Sequence, residues 1–433
     1  MLPTLDLRGR GRDSLLVLPR PQRDAPGPVE EVRAILRAVR EDGDEAVRRF
    51  TSKFDDVDLE ALRVEDKDLA RALRSLPSGL RSALEEAHAA IEAFHRHGAG
   101  PPGRYERAGV RVEHLLLPVE RAGVYVPGGR ARYPSSVLMT VVPAKVAGVD
   151  AVACCAPPGP QGDPPVEVLA AAAIAGVDEM YRIGGAQAIA AMAYGTESVP
   201  KVDVIVGPGN KWVSLAQREV RGEVGVPASF AGPSEVVVVA DDTTPAEWAA
   251  IDVIVQAEHG PDGLAWLITW SESAAIAIAG EIERLVEASP RGAEARSTLE
   301  VGGHIVLVDG PEQAIDVANA IAPEHLELLV ADAEALVPLV RHAGVIFLGP
   351  MTPASVGDYV AGPSHVLPTE RSARFASVLG VEDFQRRVHA VRVDDDALAA
   401  IAPVVAAIAT CEGLPAHAES VRVRVGEPTW SAP

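Results

Sequence analysis

Apolar residues change their rhythm along this chain. Over residues 29–97 they recur at three- and four-residue spacing, first in EEVRAILRAVREDGDEAVRRF and then in LRSALEEAHAAIEAFHRH. That spacing predicts amphipathic helices. GAGPPG (98–103) breaks the pattern and reads as a loop. From residue 121 short apolar runs alternate with Ala-rich helical windows. AGVYVPGG precedes SSVLMTVVPAKVAGV, DAVACCAPPG precedes PVEVLAAAAIAGV, EMYRIGG precedes AQAIAAMAYGT, and VDVIVGPGN precedes KWVSLAQREV. The alternation predicts a parallel sheet with helices on its faces. A Gly/Pro-marked break, PASFAGPS (227–234), opens a second round. It runs SEVVVVADD, a helix through AEWAAIDVIVQAEH, AWLITWS, a long helix, HIVLVDG, EQAIDVANAIA, HLELLV, another helix and VIFLG. Two α/β halves are expected. The tail holds one Ala-rich helix, DDDALAAIAPVVAAIATCEG, and a strand-like VRVRV.

Composition changes this picture little. With 433 residues there is room for roughly two to four domains. Aromatics are only 4% against 48% hydrophobic residues, so Ala, Val and Ile carry the core, which suits α/β layers. The net charge of −21 repels phosphate backbones and anionic lipid, arguing against nucleic-acid or membrane partners. Three cysteines, Cys154, Cys155 and Cys411, make no disulfide framework and no zinc spacing, which points to a reducing cytoplasm. Cys411 is expected to be a buried small side chain. No apolar run approaches the ~18–20 residues of a membrane span, and MLPTLDLRGRGRDSLL lacks the apolar region of a signal peptide.

Candidate chemistry sits at the ends of these elements. Gln256 and His259 are three apart, so on a helix they share a face and could ligate zinc; a polar helix terminus would read the same. Glu324 and His325 place an acid beside an imidazole at the end of a helical segment, either a general base or a surface terminus. Asp358 and His365 lie in GDYVAGPSHVLP after the strand VIFLG, where open parallel sheets bind ligands beyond their C-terminal strand ends; a polar loop would read the same. Glu412 and His417 stand in CEGLPAHAES. Gly184-Gly185 and Gly207-Pro208-Gly209-Asn210 sit between strand and helix, where a backbone can approach a phosphate, though ordinary strand-to-helix turns also contain glycine. The G-x-G-x-x-G fingerprint with its distal acid is missing.

In order, FTSKFDDVDL, VYVPGGRARYPSSVLM, GGAQAIAAMAYGT, VGPGNKWV, AGPSEVVVVAD, QAEH, APEHLEL, GDYVAGPSHVLPT and EGLPAH resemble histidinol dehydrogenase over almost the whole chain. The resemblance implies two Rossmann-like domains without the usual fingerprint, one zinc per active site, NAD, and a homodimer with shared sites. Its domain limits would be an arm at 1–28, a first domain from 29–124 with 235–376, a second at 125–234, and a segment at 377–433 reaching the partner's site. It implies zinc on Gln256, His259, Asp358 and the partner's His417. His325 would take the hydroxyl proton as hydride leaves, and Glu324 would activate water against the aldehyde. Tyr125, Gln187 and Asn210 would bind NAD. Ser234, His365 and Glu412 would hold the substrate, together with His325 and the zinc ligands. The expected reaction is L-histidinol to L-histidine with two NAD⁺. VGVPASFAGPSE and the GPDG after QAEH depart from the family's wording, so a related amino- or sulfo-alcohol is the alternative substrate. A zinc hydrolase or a non-catalytic binding protein are the readings from other classes.

Overall fold

The computed structural model describes residues 2–11, 15, 18–19, 27–98, 100, 103–129, 131–227, 232, 234–258, 260 and 263–427. They form two compact units, one of Met1–Gly98 with Val119–Phe384 and one of Ala99–Pro118 with Gln385–Pro433.

The first unit contains two sheets, both wound as the alternation predicts. In the six-stranded sheet the strands run Thr4–Asp6, Gly303–Leu307, Leu264–Thr269, Glu235–Ala240, His325–Leu329, Val345–Leu348, all parallel. Glu235–Ala240 and Leu264–Thr269 are buried at every position. Helices cover both faces, so a continuous apolar run rather than an alternating one is what such strands need. The five-stranded sheet runs Arg63–Val64, Glu179–Tyr181, Ala151–Cys155, Arg121–Tyr125, Val204–Val206, with only the first pairing antiparallel. Apart from the first strand of each, Thr4–Asp6 and Arg63–Val64, which lies at an edge, the strands of both sheets start centrally, wind outward, and then cross to the other side. That crossing is the switch point at which ligands bind in doubly wound folds.

Gly207 is fixed by close approach. It has φ +113°, and a Cβ there would stand 2.1 Å from the Tyr125 carbonyl oxygen. Only glycine lets the chain leave the Val204–Val206 strand at that point.

The expected grouping of 29–124 with 235–376 is not what the contacts give. Arg63–Val64 pairs with Glu179–Tyr181, and helix Val29–Asp55 packs on helix Gly185–Tyr194, so the N-terminal helices belong with the five-stranded sheet. Within the expected arm, Thr4–Asp6 is an edge strand on Gly303–Leu307.

The second unit is an antiparallel sheet of Arg104–Arg107, Val110–Pro118 and Gln385–Val393, with helices Asp395–Cys411 and Pro415–Arg422. The strand expected at VRVRV is instead a helix end. Val425 N–H donates to the Val421 carbonyl (3.2 Å), continuing the helical ladder despite the β-branched residues. Cys411, expected to be buried, is exposed. The buried positions of its helix are Ala397, Ala402, Ala406 and Ala409.

Candidate active site

The helices Ala246–Ala257 and Ala354–Tyr359 run back against the strands they follow. Their C-terminal ends therefore arrive where the strands of the six-stranded sheet begin. There Gln256 Nε2 donates to Asp358 Oδ2 (3.4 Å). The expectation that Asp358 and His365 lie beyond the C-terminal strand ends is corrected, because the helix carrying Asp358 returns to the opposite edge. The expected helix end at Glu324-His325 is corrected too. Ala322 turns left-handed (φ 53°) to close helix Pro311–Ile321, and His325 opens a fully buried strand. Pro323 restricts Ala322 and stops the helix from continuing.

His325 is clamped on one side. Its Nδ1–H donates to the Glu235 carbonyl (3.2 Å), the tautomer this partner requires. In the neutral ring Nε2 then carries the lone pair; it is buried without a hydrogen-bond partner among the described residues, 3.5 Å from Asp358 Oδ1. An imidazole with one nitrogen anchored and the other free is built to accept a proton. Burial pulls its pKa down, but Glu324, with an oxygen 3.6 Å from Nδ1, and Asp358 push harder, leaving it raised to about 10. A divalent cation on Asp358 would cancel part of that lift.

Glu324 is held from behind, its Oε2 accepting the Glu235 N–H (3.0 Å). It lines a cavity of about 120 Å³ with Ser234, His365, Pro208, Gly209 and Thr369. His365 Nδ1–H donates to the Asp358 carbonyl (3.0 Å), and the Ser136 hydroxyl stands 3.3 Å from Nε2. Burial holds its pKa down, favouring the neutral ring. Ser136 was not expected at the site. Its only sequence signal is a position in the first turn of helix Pro134–Ala147 after VYVPGG.

A second cavity, of about 750 Å³, opens at the C-terminal ends of the five-stranded sheet, at its switch point. Tyr125, Gln187 and Asn210 all line it. The Tyr125 hydroxyl accepts the Gly185 N–H (3.1 Å), fixing the start of helix Gly185–Tyr194. Asn210 caps helix Lys211–Glu219, its Oδ1 accepting from Trp212 and Val213 N–H (3.0 and 3.2 Å). Gln187 is buried, yet among the described residues neither its amide oxygen nor its nitrogen has a partner. Such an amide calls for a polar ligand. The two cavities meet along the chain, since Pro208 and Gly209 line the smaller and Asn210 the larger.

His259 lies outside the described residues. Glu412 and His417 belong to the second unit, where both are exposed, at the end of helix Asp395–Cys411 and within helix Pro415–Arg422. Among the described residues no three His, Cys, Asp or Glu side chains form a metal-holding group. Gln256 and Asp358 do fit a zinc ion as oxygen donors, with the Gln256 amide turned about to present its oxygen.

One buried acid escaped the sequence reading. Glu327 shares its strand face with His325 and is fully buried facing Asp252. Burial and the Asp252 charge push its carboxyl far above the usual range. A carboxyl raised on folding costs stability once pH exceeds its unfolded value of about 4.3. Glu327→Gln removes that cost. In metal-free protein its melting temperature should exceed wild type by a margin growing from pH 5 to 8, reaching roughly a few degrees. Parallel melting curves across that range would refute the charge assignment.

The family model for histidinol dehydrogenase matches residues 18–425. The chain belongs to the histidinol dehydrogenase family. A histidinol dehydrogenase of Synechococcus sp. is 49% identical over 398 residues, covering 91% of both chains. One of Bacillus cereus is 46% identical over 400 residues, covering 92% of both. The crystal structure of the histidinol dehydrogenase of Elizabethkingia anophelis superposes with a TM-score of 0.94 at 32% identity, covering 98% of each chain. An aldehyde dehydrogenase structure from Burkholderia cenocepacia reaches a TM-score of 0.50 at 15% identity, a likeness of fold alone.

Proposed function

We propose that this chain oxidises L-histidinol through an enzyme-held aldehyde to L-histidine, with two NAD⁺ and one zinc per subunit, as a cytoplasmic homodimer. The observation that carries the reading is the unpartnered Nε2 of His325, set between Asp358 and the cavity of Glu324 and His365. When bound, NAD⁺ accepts hydride in each oxidation, while zinc orients the substrate's amino and imidazole nitrogens. Gln256, His259, Asp358 and the partner's His417 would hold the zinc. Tyr125, Gln187 and Asn210 would line the bound dinucleotide. His325 takes the alcohol proton at Nε2, its ring held by the Glu235 carbonyl. Glu324 then deprotonates the water that adds to the aldehyde. Ser234, His365 and Glu412 hold the substrate, His365 as a neutral ring. A homodimer would give the exposed His417 and Glu412 a site to complete.

The test is NADH release from L-histidinol by purified protein. Two NADH per substrate are expected. None, with steady turnover of another amino- or sulfo-alcohol, would move the assignment to that alcohol. Asp358→Asn should lower zinc affinity by more than the ~10–100-fold that loss of an outer-shell partner causes. Metal analysis after dialysis reads this, and full retention of zinc would remove Asp358 from the ligand set.

A further inference from the structure

The larger cavity contains one carboxylate among its described lining residues, Asp55, the last residue of helix Val29–Asp55. Its Oδ2 is buried without a hydrogen-bond partner among the described residues. Burial lifts its pKa, to about 6, and among the described residues no cation balances it. Among the described lining residues the one cation, Arg132, is engaged by Glu167. An ionised acid with an idle oxygen in a nucleotide-sized cavity needs donors from a ligand.

Its position says which donors. In dinucleotide folds an acid near the end of the second strand receives the ribose hydroxyls. Here the second strand, Ala151–Cys155, runs on into Ala156-Pro157-Pro158-Gly159-Pro160, with no acid. The next carboxylate along, Asp163, is paired with Arg182 (3.2 Å). Asp55 stands in the vacant place. A Cβ built on Gly184 would lie 2.6 Å from Pro157 Cβ and 3.6 Å from Asp55 Oδ1, so Asp55, Gly184 and the end of the second strand share one corner.

We propose that Asp55 receives the adenosine ribose hydroxyls and makes the cavity select NAD over its 2′-phosphorylated counterpart. The assignment rests on the dinucleotide reading above. A 2′-phosphate would bring at least one further negative charge against this carboxylate and would remove a hydroxyl donor.

The test is equilibrium binding to the full-length protein, by calorimetry with NAD⁺, ADP-ribose and NADP⁺. Wild type should bind NAD⁺ and ADP-ribose and bind NADP⁺ at least tenfold more weakly. Asp55→Asn should lose at least tenfold in NAD⁺ affinity and bring NADP⁺ within about threefold of NAD⁺. Asp55→Glu should restore the discrimination, which a merely structural role would not do. Wild type that binds NAD⁺ with Asp55→Asn unchanged overturns this assignment alone. So does a parallel loss of both nucleotides. Wild type that binds neither NAD⁺ nor ADP-ribose overturns the dinucleotide reading, and this assignment with it.

Discussion

His325→Asn should lower L-histidinol turnover by about 10²–10⁴-fold, the usual worth of a positioned general base. The substitution is chosen to leave the fold in place. Asn keeps a short polar side chain at the head of a buried strand, where a hydrocarbon would leave the Glu235 carbonyl without its donor (3.2 Å in the native protein). What it cannot supply is a nitrogen able to take a proton in place of Nε2. The loss should appear in kcat, because the proton moves only as the alcohol is oxidised. It should also appear when the reaction runs backward, with L-histidinal reduced by NADH, since the same nitrogen must then return the proton. A near-native rate in either direction would take the base role from His325. Zinc content, measured in parallel, should stay at the wild-type level, which separates lost chemistry from a collapsed site.

Much of this site was legible, but only as separate pieces. Gln256 sits at a helix end, as the apolar run before it implied. Asp358 and His365 fell near each other because they share one short segment, and the His365 ring closes on the Asp358 carbonyl (3.0 Å). What local pattern could not give was direction. Whether a helix end faces the start or the end of a sheet depends on how the helix packs back on its strands. The site was therefore expected at the wrong edge. The acid in Pro323-Glu324-His325 read as a helix terminus because the chain leaves a helix there; that Ala322 turns left-handed and the next residues enter the core is a tertiary fact. The pairing of Arg63–Val64 with Glu179–Tyr181 joins residues more than a hundred positions apart, and the two-residue Arg63–Val64 is too short to announce itself. The antiparallel strands Val110–Pro118 and Gln385–Val393 carried a period-two signal, but exposed Arg and His on both faces hid it among polar loops. Asp55 and Glu327 were invisible for the opposite reason, since an acid within an apolar or helical run looks solvated until its burial is known.

Glu324→Gln should separate the two oxidations that His325→Asn abolishes together. Glu324 holds one oxygen against the Glu235 N–H (3.0 Å) and sits in the cavity with Ser234 and His365. Gln can keep that bond through its amide oxygen, so the backbone anchor survives. It cannot draw a proton from water. The first oxidation needs no water, whereas the second needs a hydroxyl added to the aldehyde before another hydride can leave. Reduction of L-histidinal by NADH should therefore persist within about tenfold of wild type. Oxidation of L-histidinal by NAD⁺ should fall by about 10²–10⁴-fold. From L-histidinol, NADH should approach one per substrate rather than two when the aldehyde is trapped. The discrimination is sharp because both assays use the same aldehyde and the same sites, and differ only in whether water must be activated. Equal losses in the two directions would make Glu324 a support for His325 rather than the base that serves water.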